Sequence, residues 1–406
     1  MSILDGLTQQ TAAGLAERWI DDELPKLTYP ENVFSGRGVV IVAGGTKYLI
    51  PAWVCVRALR YVGCKLPIQI WYRGETERIQ TIETLLRPYD VEFVDAFAVR
   101  DAGHPHENLG GWETKPFAIQ WCPWEEVLFL DADNVPVRDP TYLFEDRHYK
   151  RTGTVLWPDY HRLGPERAAW RVFGVPYAKD YEREVESGQI VIDKRRAWRP
   201  LWLCHWYGER SKFFFNFVYG DKELFHLGWL KAATPYAMTA TPIKTLKGTM
   251  CQHDFTGARV FQHRNARKWA MDCSQANDTR PGFMLERECF GWLDELKRHW
   301  SPAAGTFLDQ ADLDAAKALI GTRYTYTRMQ ADGKTPQDTR ELLLWHGGLI
   351  ADGAAGCEWY WCLRAGRLCI AGRDGKATMD LISDGAGGWS GAWLRYEKMR
   401  VDLRPV

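Results

Sequence analysis

Between residues 38 and 134 the sequence alternates short apolar runs with longer amphipathic stretches, and the last run ends on two aspartates. Residues 39–43 (VVIVA) form a continuous apolar run, as expected of a strand covered on both faces. Gly44-Gly45-Thr46 breaks it, and a helix is expected next, with Pro51 near its first turn and Gly63 just past its end. Residues 66–72 (LPIQIWY) and 91–94 (VEFV) read as further strands. Ile79, Ile82, Leu85 and Leu86 share one helical face that stops before Pro88, and residues 115–121 suggest another helix. Such alternation predicts an α/β sandwich around a mostly parallel sheet, where ligands lie outside the carboxyl ends of the strands.

The run at 127–134 reads VLFLDADN and places Asp131 and Asp133 at such an end. Two carboxylates this close repel, and burying either one unpaired is expensive. A divalent cation between them removes both problems. Hard oxygen ligands suit Mg²⁺ or Mn²⁺, which complete their shells with phosphate oxygens and water. Alone, Asp-x-Asp is a weak signal, because a strand-terminal turn with solvated carboxylates has the same pattern.

Composition narrows the function classes. The chain has 406 residues, enough for two or three domains, with 52 Lys and Arg against 52 Asp and Glu. That balance argues against a general nucleic-acid or anionic-membrane surface. No run approaches a transmembrane span, and the first 26 residues lack the apolar core of a signal peptide. The ten cysteines include no Cys-x-x-Cys pair, so they read as reduced thiols of a cytoplasmic protein.

Past residue 300 the pattern changes. Residues 308–320 suggest a helix and 331–339 (ADGKTPQDT) a linker, followed by short alternating segments punctuated by glycine. The expected organisation is an N-terminal helical extension (1–35), a catalytic domain (36–300), a helix and linker (301–337) and a small antiparallel β domain (338–406). Several of the last segment's tryptophans (Trp345, Trp359, Trp361, Trp389, Trp393) share alternating positions, which favours packing or homo-oligomerisation over glycan binding.

The segment GWETKPFAIQWCPWEEVLFLDADNVPVRDPTYLF resembles the glycosyltransferase A fold, and more narrowly glycosyltransferase family 71, the fungal α-1,3-mannosyltransferases and their bacterial relatives. The likeness continues in GTVLWPDY, ESGQIVIDKRRAW, YGDKELFHLGW and FQHRNARKW, and spans roughly residues 36–270. It implies a retaining hexosyltransferase with a nucleotide-sugar donor, GDP-mannose or a UDP-sugar, and a glycan, lipid-linked or protein acceptor. Asp131 and Asp133 would hold Mn²⁺ or Mg²⁺. A more distantly similar retaining family, which includes glycogenin, adds a histidine whose counterpart here is His263; a satisfied core histidine is the competing reading.

The resemblance further implies that Lys115 and Lys268 contact the diphosphate, with Ala43, Gly44, Thr46, Tyr48, Trp112 and Ala132 along the donor. Asp159, Glu186, Gly188, Gln189 and Asp221 would surround the sugar, with Asp221, Glu186 and Gln189 in catalytic roles. Asp221 is also a candidate N-cap for the helix that follows it. With no membrane anchor ahead of the catalytic domain, a bacterial cytoplasmic enzyme is expected. The alternatives are a sugar nucleotidyltransferase, whose glycine-rich phosphate loop is missing after Gly45, and a carbohydrate-binding protein.

Overall fold

The computed structural model describes residues 22–271, 277–395 and 399–406, with Arg18 and Ile20 besides. Most of the expected N-terminal extension therefore lies outside the described residues. The chain forms two compact units. One runs to Trp292, apart from Ile79–Leu85; the other holds that short segment and Leu293–Val406.

The first unit is built on β1 (Arg37–Val42), β2 (Ile68–Tyr72), β3 (Val91–Asp95), β4 (Glu126–Asp131), β5 (Asn134–Pro136), β6 (Thr154–Arg162), β7 (Arg183–Asp193), β8 (Ala237–Met238), β9 (Lys244–Leu246), β10 (Thr249–His253) and β11 (Arg259–His263). Seven of these form one sheet in the order β3-β2-β1-β4-β7-β6-β8. Strands β1 to β4 are mutually parallel, β7 runs against β4 and β6, and β8 runs with β6. This is the glycosyltransferase A arrangement that the sequence led us to expect.

Its central strands read as apolar runs because both faces are covered: Val39, Val40 and Ile41 are fully buried, as are Val127 to Leu130. The covering helices include α1 (Gly45–Tyr61), α2 (Thr114–Trp121), α3 (Lys194–Glu209) and α4 (Lys222–Lys231). A second, antiparallel sheet has the order β5-β11-β10-β9. The turn Ala132-Asp133 carries the chain from the end of β4 directly into β5, so one Asp-x-Asp segment belongs to both sheets.

The second unit contains the hairpin β12 (Trp300–Ser301) and β13 (Thr306–Phe307), a helix at Gln310–Lys317 and a closed antiparallel barrel. The barrel runs in chain order through β14 (Arg323–Met329), β15 (Pro336–Trp345), β16 (Leu349–Asp352), β17 (Tyr360–Arg364), β18 (Arg367–Ala371), β19 (Ala377–Ser383), β20 (Trp389–Trp393) and β21 (Arg400–Pro405). Pairing of β14 with β21 closes it and removes the edges.

Residues 331–339 are therefore not a linker. They form the turn between β14 and β15 and the start of β15, where Asp332 accepts from the backbone N–H groups of Lys334 and Thr335. Polar loop composition and a tight hairpin look alike in sequence, and only the pairing partner separates them. Tyr324, Tyr326, Leu342, Leu344, Leu381, Val401 and Leu403 fill the barrel with Trp361, Trp389 and Trp393, whereas Trp345 is exposed. The nine described cysteines are free, and among the described residues no helix is long and apolar enough to cross a membrane.

One buried cation shows how tightly the first unit is packed. Asp193 caps α3 by accepting from the N–H groups of Arg195 and Arg196, which leaves Lys194, at the first helical position, pointing inward. The Lys194 ammonium donates to the carbonyls of Cys122 (2.7 Å) and Gln120 (3.2 Å) and lies 3.3 Å from the centre of the Phe34 ring. Burial pulls its pKa down to about 8.

Between about pH 8 and the ordinary lysine value near 10.4 the unfolded chain holds this proton and the folded one does not, so this group makes stability rise with pH. Chemical denaturation across that range should show the rise in the wild type, of order 3 kcal/mol, and a flatter profile in Lys194→Met. Parallel profiles would show that Lys194 stays charged when folded.

Candidate active site

The site is organised by the crossing of β4, β5 and β11. Asp131 is the last residue of β4, beside Val42 at the end of β1. Antiparallel pairing then sets His263 opposite Asn134, and the Arg264 N–H donates to the Asp133 carbonyl (2.9 Å). His263 Nε2 comes to lie 3.3 Å from Asp133 Oδ1 and 3.7 Å from Asp131 Oδ2. One ligand atom from each of Asp131, Asp133 and His263 falls within 4.8 Å of the others.

Behind the imidazole, His263 Nδ1 is 3.2 Å from Glu186 Oε1. The same carboxylate oxygen accepts from the Gly188 N–H (2.8 Å). A Cβ at Gly188 would stand 2.5 Å from His263 Nδ1 and 2.8 Å from Glu186 Oε1, so only glycine allows this approach.

Two lysines close the cluster. Lys115, from α2, reaches Asp131 Oδ1 at 2.8 Å and Asp221 Oδ2 at 3.1 Å. Lys268 pairs with Asp133. Lys268 is presented by the turn after β11, held by Arg264: its Nε donates to the Arg267 carbonyl (2.9 Å), and its guanidinium stacks 3.6 Å from the Trp269 ring. Asp221 also accepts from Ser187 Oγ (2.8 Å). Its side chain makes no capping bond to α4, so the N-cap expectation is corrected: lysine and serine engage the carboxylate instead.

The charges are strongly coupled. For His263, burial favours the neutral ring, but Asp133 and Glu186 outweigh it and push the pKa up to about 10. Burial opposes ionisation of Asp133 and Glu186 too, yet the imidazole holds both below the usual carboxylate range, helped by Lys268 at Asp133. Burial raises Asp131 despite Lys115, while Lys115 itself is held charged against burial by Asp131 and Asp221.

These residues sit at one side of a cleft of about 740 Å³. Ala43, Gly44, Tyr48, Trp112, Lys115, Asp131, Ala132, Asp133 and Lys268, all expected from the sequence, line it. Glu186, Gly188, Asp221 and His263 stand against those lining residues. Gln189 is fully buried, its Oε1 accepting from Asn134 Nδ2 (3.0 Å).

Two expected residues are elsewhere. Thr46 is already in the first turn of α1, which begins at Gly45, and does not line the cleft. Asp159 is taken by Lys222, whose ammonium also reaches Glu184 at 2.8 Å. The sequence reading missed Arg73 and Glu77, which form one wall, with Arg73 Nε donating to Glu77 Oε1 (3.1 Å). It also missed Asn108, Lys212 and Asn216. These five lie in ordinary-looking loop and helix-end segments, and no local pattern marked them.

The donor set fits a divalent ion. Two carboxylate oxygens and one imidazole nitrogen suit Mn²⁺ or Mg²⁺, and the cationic groups now crowding Asp133 stand where positive charge is required.

Several fungal mannosyltransferases are similar in sequence to this chain. The α-1,2-mannosyltransferase MNN2 of Saccharomyces cerevisiae is 24% identical over 296 residues, covering 60% of this chain and 48% of the yeast protein. The MNN2 α-1,2-mannosyltransferase of Candida albicans is 27% identical over 200 residues, covering 46% and 34%. The chain thus spans about half or less of these relatives' lengths. Among solved structures, the mannosyltransferase Ktr4p of S. cerevisiae overlaps 57% of this chain and 78% of its own, with 9% identity and a TM-score of 0.34, a level that says nothing of function.

The matched relatives are fungal, which overturns the expectation of a bacterial enzyme and, with it, the cytoplasmic location. The family described as "Mannosyltransferase putative" matches residues 36–180 and 175–264, more than half of the sequence, and the chain belongs to that family.

Proposed function

We propose that this protein transfers mannose from GDP-mannose to a hydroxyl of a glycan, with retention at the anomeric carbon. The observation that carries the reading is the Asp131-Asp133-His263 cluster beside a nucleotide-sized cleft, in a chain of the mannosyltransferase family.

Asp131, Asp133 and His263 would hold Mn²⁺ or Mg²⁺, which when bound supplies Lewis-acid stabilisation of the departing diphosphate. Glu186 lies 3.2 Å from Nδ1 of His263, so its negative charge favours the proton on that nitrogen and leaves the Nε2 lone pair for the side of the aspartates. Lys268, and Lys115 through its ammonium, add fixed positive charge where the phosphates gather. Tyr48 lines the cleft beside Lys268 and shields the donor from water on that side.

As the bond from C1 to phosphate oxygen breaks, its electron pair leaves with the nucleoside diphosphate and the sugar ring becomes positive. The Asp221 carboxylate, oriented by Ser187 and Lys115, stabilises that ring charge. The acceptor oxygen bonds to C1 on the same face, and its proton passes to the departing phosphate oxygen. No enzymic nucleophile is needed on this route.

Replacing Asp133 by asparagine should lower Mn²⁺-dependent hydrolysis of GDP-mannose at least about a hundred-fold, with an unchanged circular-dichroism spectrum. Full metal-dependent hydrolysis in Asp133→Asn would overturn the metal assignment.

His263→Ala and Gly188→Ala test the nitrogen ligand separately. One removes it, and the other drives a methyl group into it at 2.5 Å. Both should raise the Mn²⁺ concentration needed for half-maximal hydrolysis by about ten- to a hundred-fold. A core histidine predicts a lower melting temperature with an unaltered Mn²⁺ titration.

A further inference from the structure

Where the acceptor binds is not specified by the metal cluster. We infer that Tyr219 and Trp112 form a stacking wall for a pyranose ring of the acceptor glycan, an inference that rests on the transferase reading of the cleft.

Both rings are unusually open for large aromatics: Tyr219 is 77% and Trp112 49% exposed. Their centres are 6.4 Å apart and their planes are inclined by 34°, so together they make a shallow angled wall rather than a packed pair. Trp112 also leans on Phe215, 6.1 Å away, which like Trp112 lines the cleft.

The backbone beneath Tyr219 is held in place. Gly220 has φ +75°, and a Cβ there would stand 2.8 Å from the Trp112 ring, so glycine is required for the turn to close against the indole. The Tyr219 N–H donates to Glu223 Oε2 (3.1 Å). Lys222 lies 5.5 Å from the centre of the Tyr219 ring and is itself anchored by Asp159 and Glu184. A glutamate, a lysine and a glycine thus fix a turn whose tyrosine packs little of its own surface.

Position decides what the wall faces. Asp221 is two residues beyond Tyr219, so their Cα atoms are at most about 7 Å apart. Asp221 points inward onto Lys115 and Ser187, while Tyr219 points to solvent. Trp112 lines the cleft that also holds Lys115 and Asp131, so a ring stacked on the wall of Trp112 and Tyr219 lies at the rim of that cleft.

The chemistry favours a sugar. A pyranose has a face of C–H groups that matches the electron-rich face of an aromatic ring, and an edge of hydroxyls. Asn216 and Lys212, which line the same cleft, can bond such hydroxyls. A lipid chain would need a longer unbroken apolar strip than two inclined rings provide.

The test uses the full chain with GDP-mannose, Mn²⁺ and an α-linked mannotriose as acceptor. Tyr219→Ala should raise the KM for mannotriose about ten-fold, which corresponds to about 1.4 kcal/mol, with kcat at saturating acceptor within about two-fold. Tyr219→Trp should restore the KM. An unchanged acceptor KM, or a rise confined to the KM for GDP-mannose, overturns the assignment.

Saturation-transfer NMR with mannotriose alone separates this inference from the reaction. Signal on the sugar C–H protons that disappears in Tyr219→Ala supports the wall even if GDP-mannose is not turned over, in which case only the transferase reading fails. Hydrolysis of GDP-mannose without that signal removes the wall and leaves the transferase reading standing.

Discussion

The ladder between β5 and β11 is the contact on which the site depends. Three paired positions place His263 beside Asn134, and through it beside Asp131 and Asp133. Without that pairing, the end of β4 would bury like charges whose mutual repulsion and desolvation both oppose folding. The same strand leads into the turn that delivers Lys268, so one short antiparallel sheet supplies both the imidazole and a second cation to the aspartates. A one-residue slip in this register would turn His263 to the opposite face.

Two glycines show how closely the machinery is assembled. Gly188 lets β7 approach the imidazole, and Gly220 lets the turn before α4 close on Trp112. In each case the missing side chain makes room for a ring from a distant part of the sequence. Asp221 follows the same logic: at a position where it could have capped a helix, its carboxylate instead meets Lys115 and Ser187, where a cation and a hydroxyl outcompete a local backbone N–H.

The parts that were hard to read share a cause. Asp159 lies in the segment GTVLWPDY, part of the family resemblance, but Lys222 engages it from another element. Thr46 follows a strand end in sequence, yet it falls within the first turn of the helix that begins at Gly45 and does not line the cleft. Residues 331–339 have linker composition and become a hairpin turn because β21 and β15 flank β14 on either side. Arg73 and Glu77 face the cleft with no local signal at all, since an arginine and a glutamate four residues apart also describe an exposed helix face.

The sequence alone determined the α/β alternation, the aspartates at the end of β4, the ordered motifs that carry family membership and the β character of the last segment. Those features are local: apolar periodicity, turn residues and short motifs act over ten to forty residues, where the chain's own stereochemistry decides the outcome. Only the tertiary structure decided that His263 faces the aspartates, that Asp159 is already paired, that β14 belongs to a closed barrel and that Tyr219 stands open beside Asp221. Each of these depends on a partner from elsewhere in the chain. Which of several available charges or strands a residue meets is set by register and packing between elements, and no single segment encodes it.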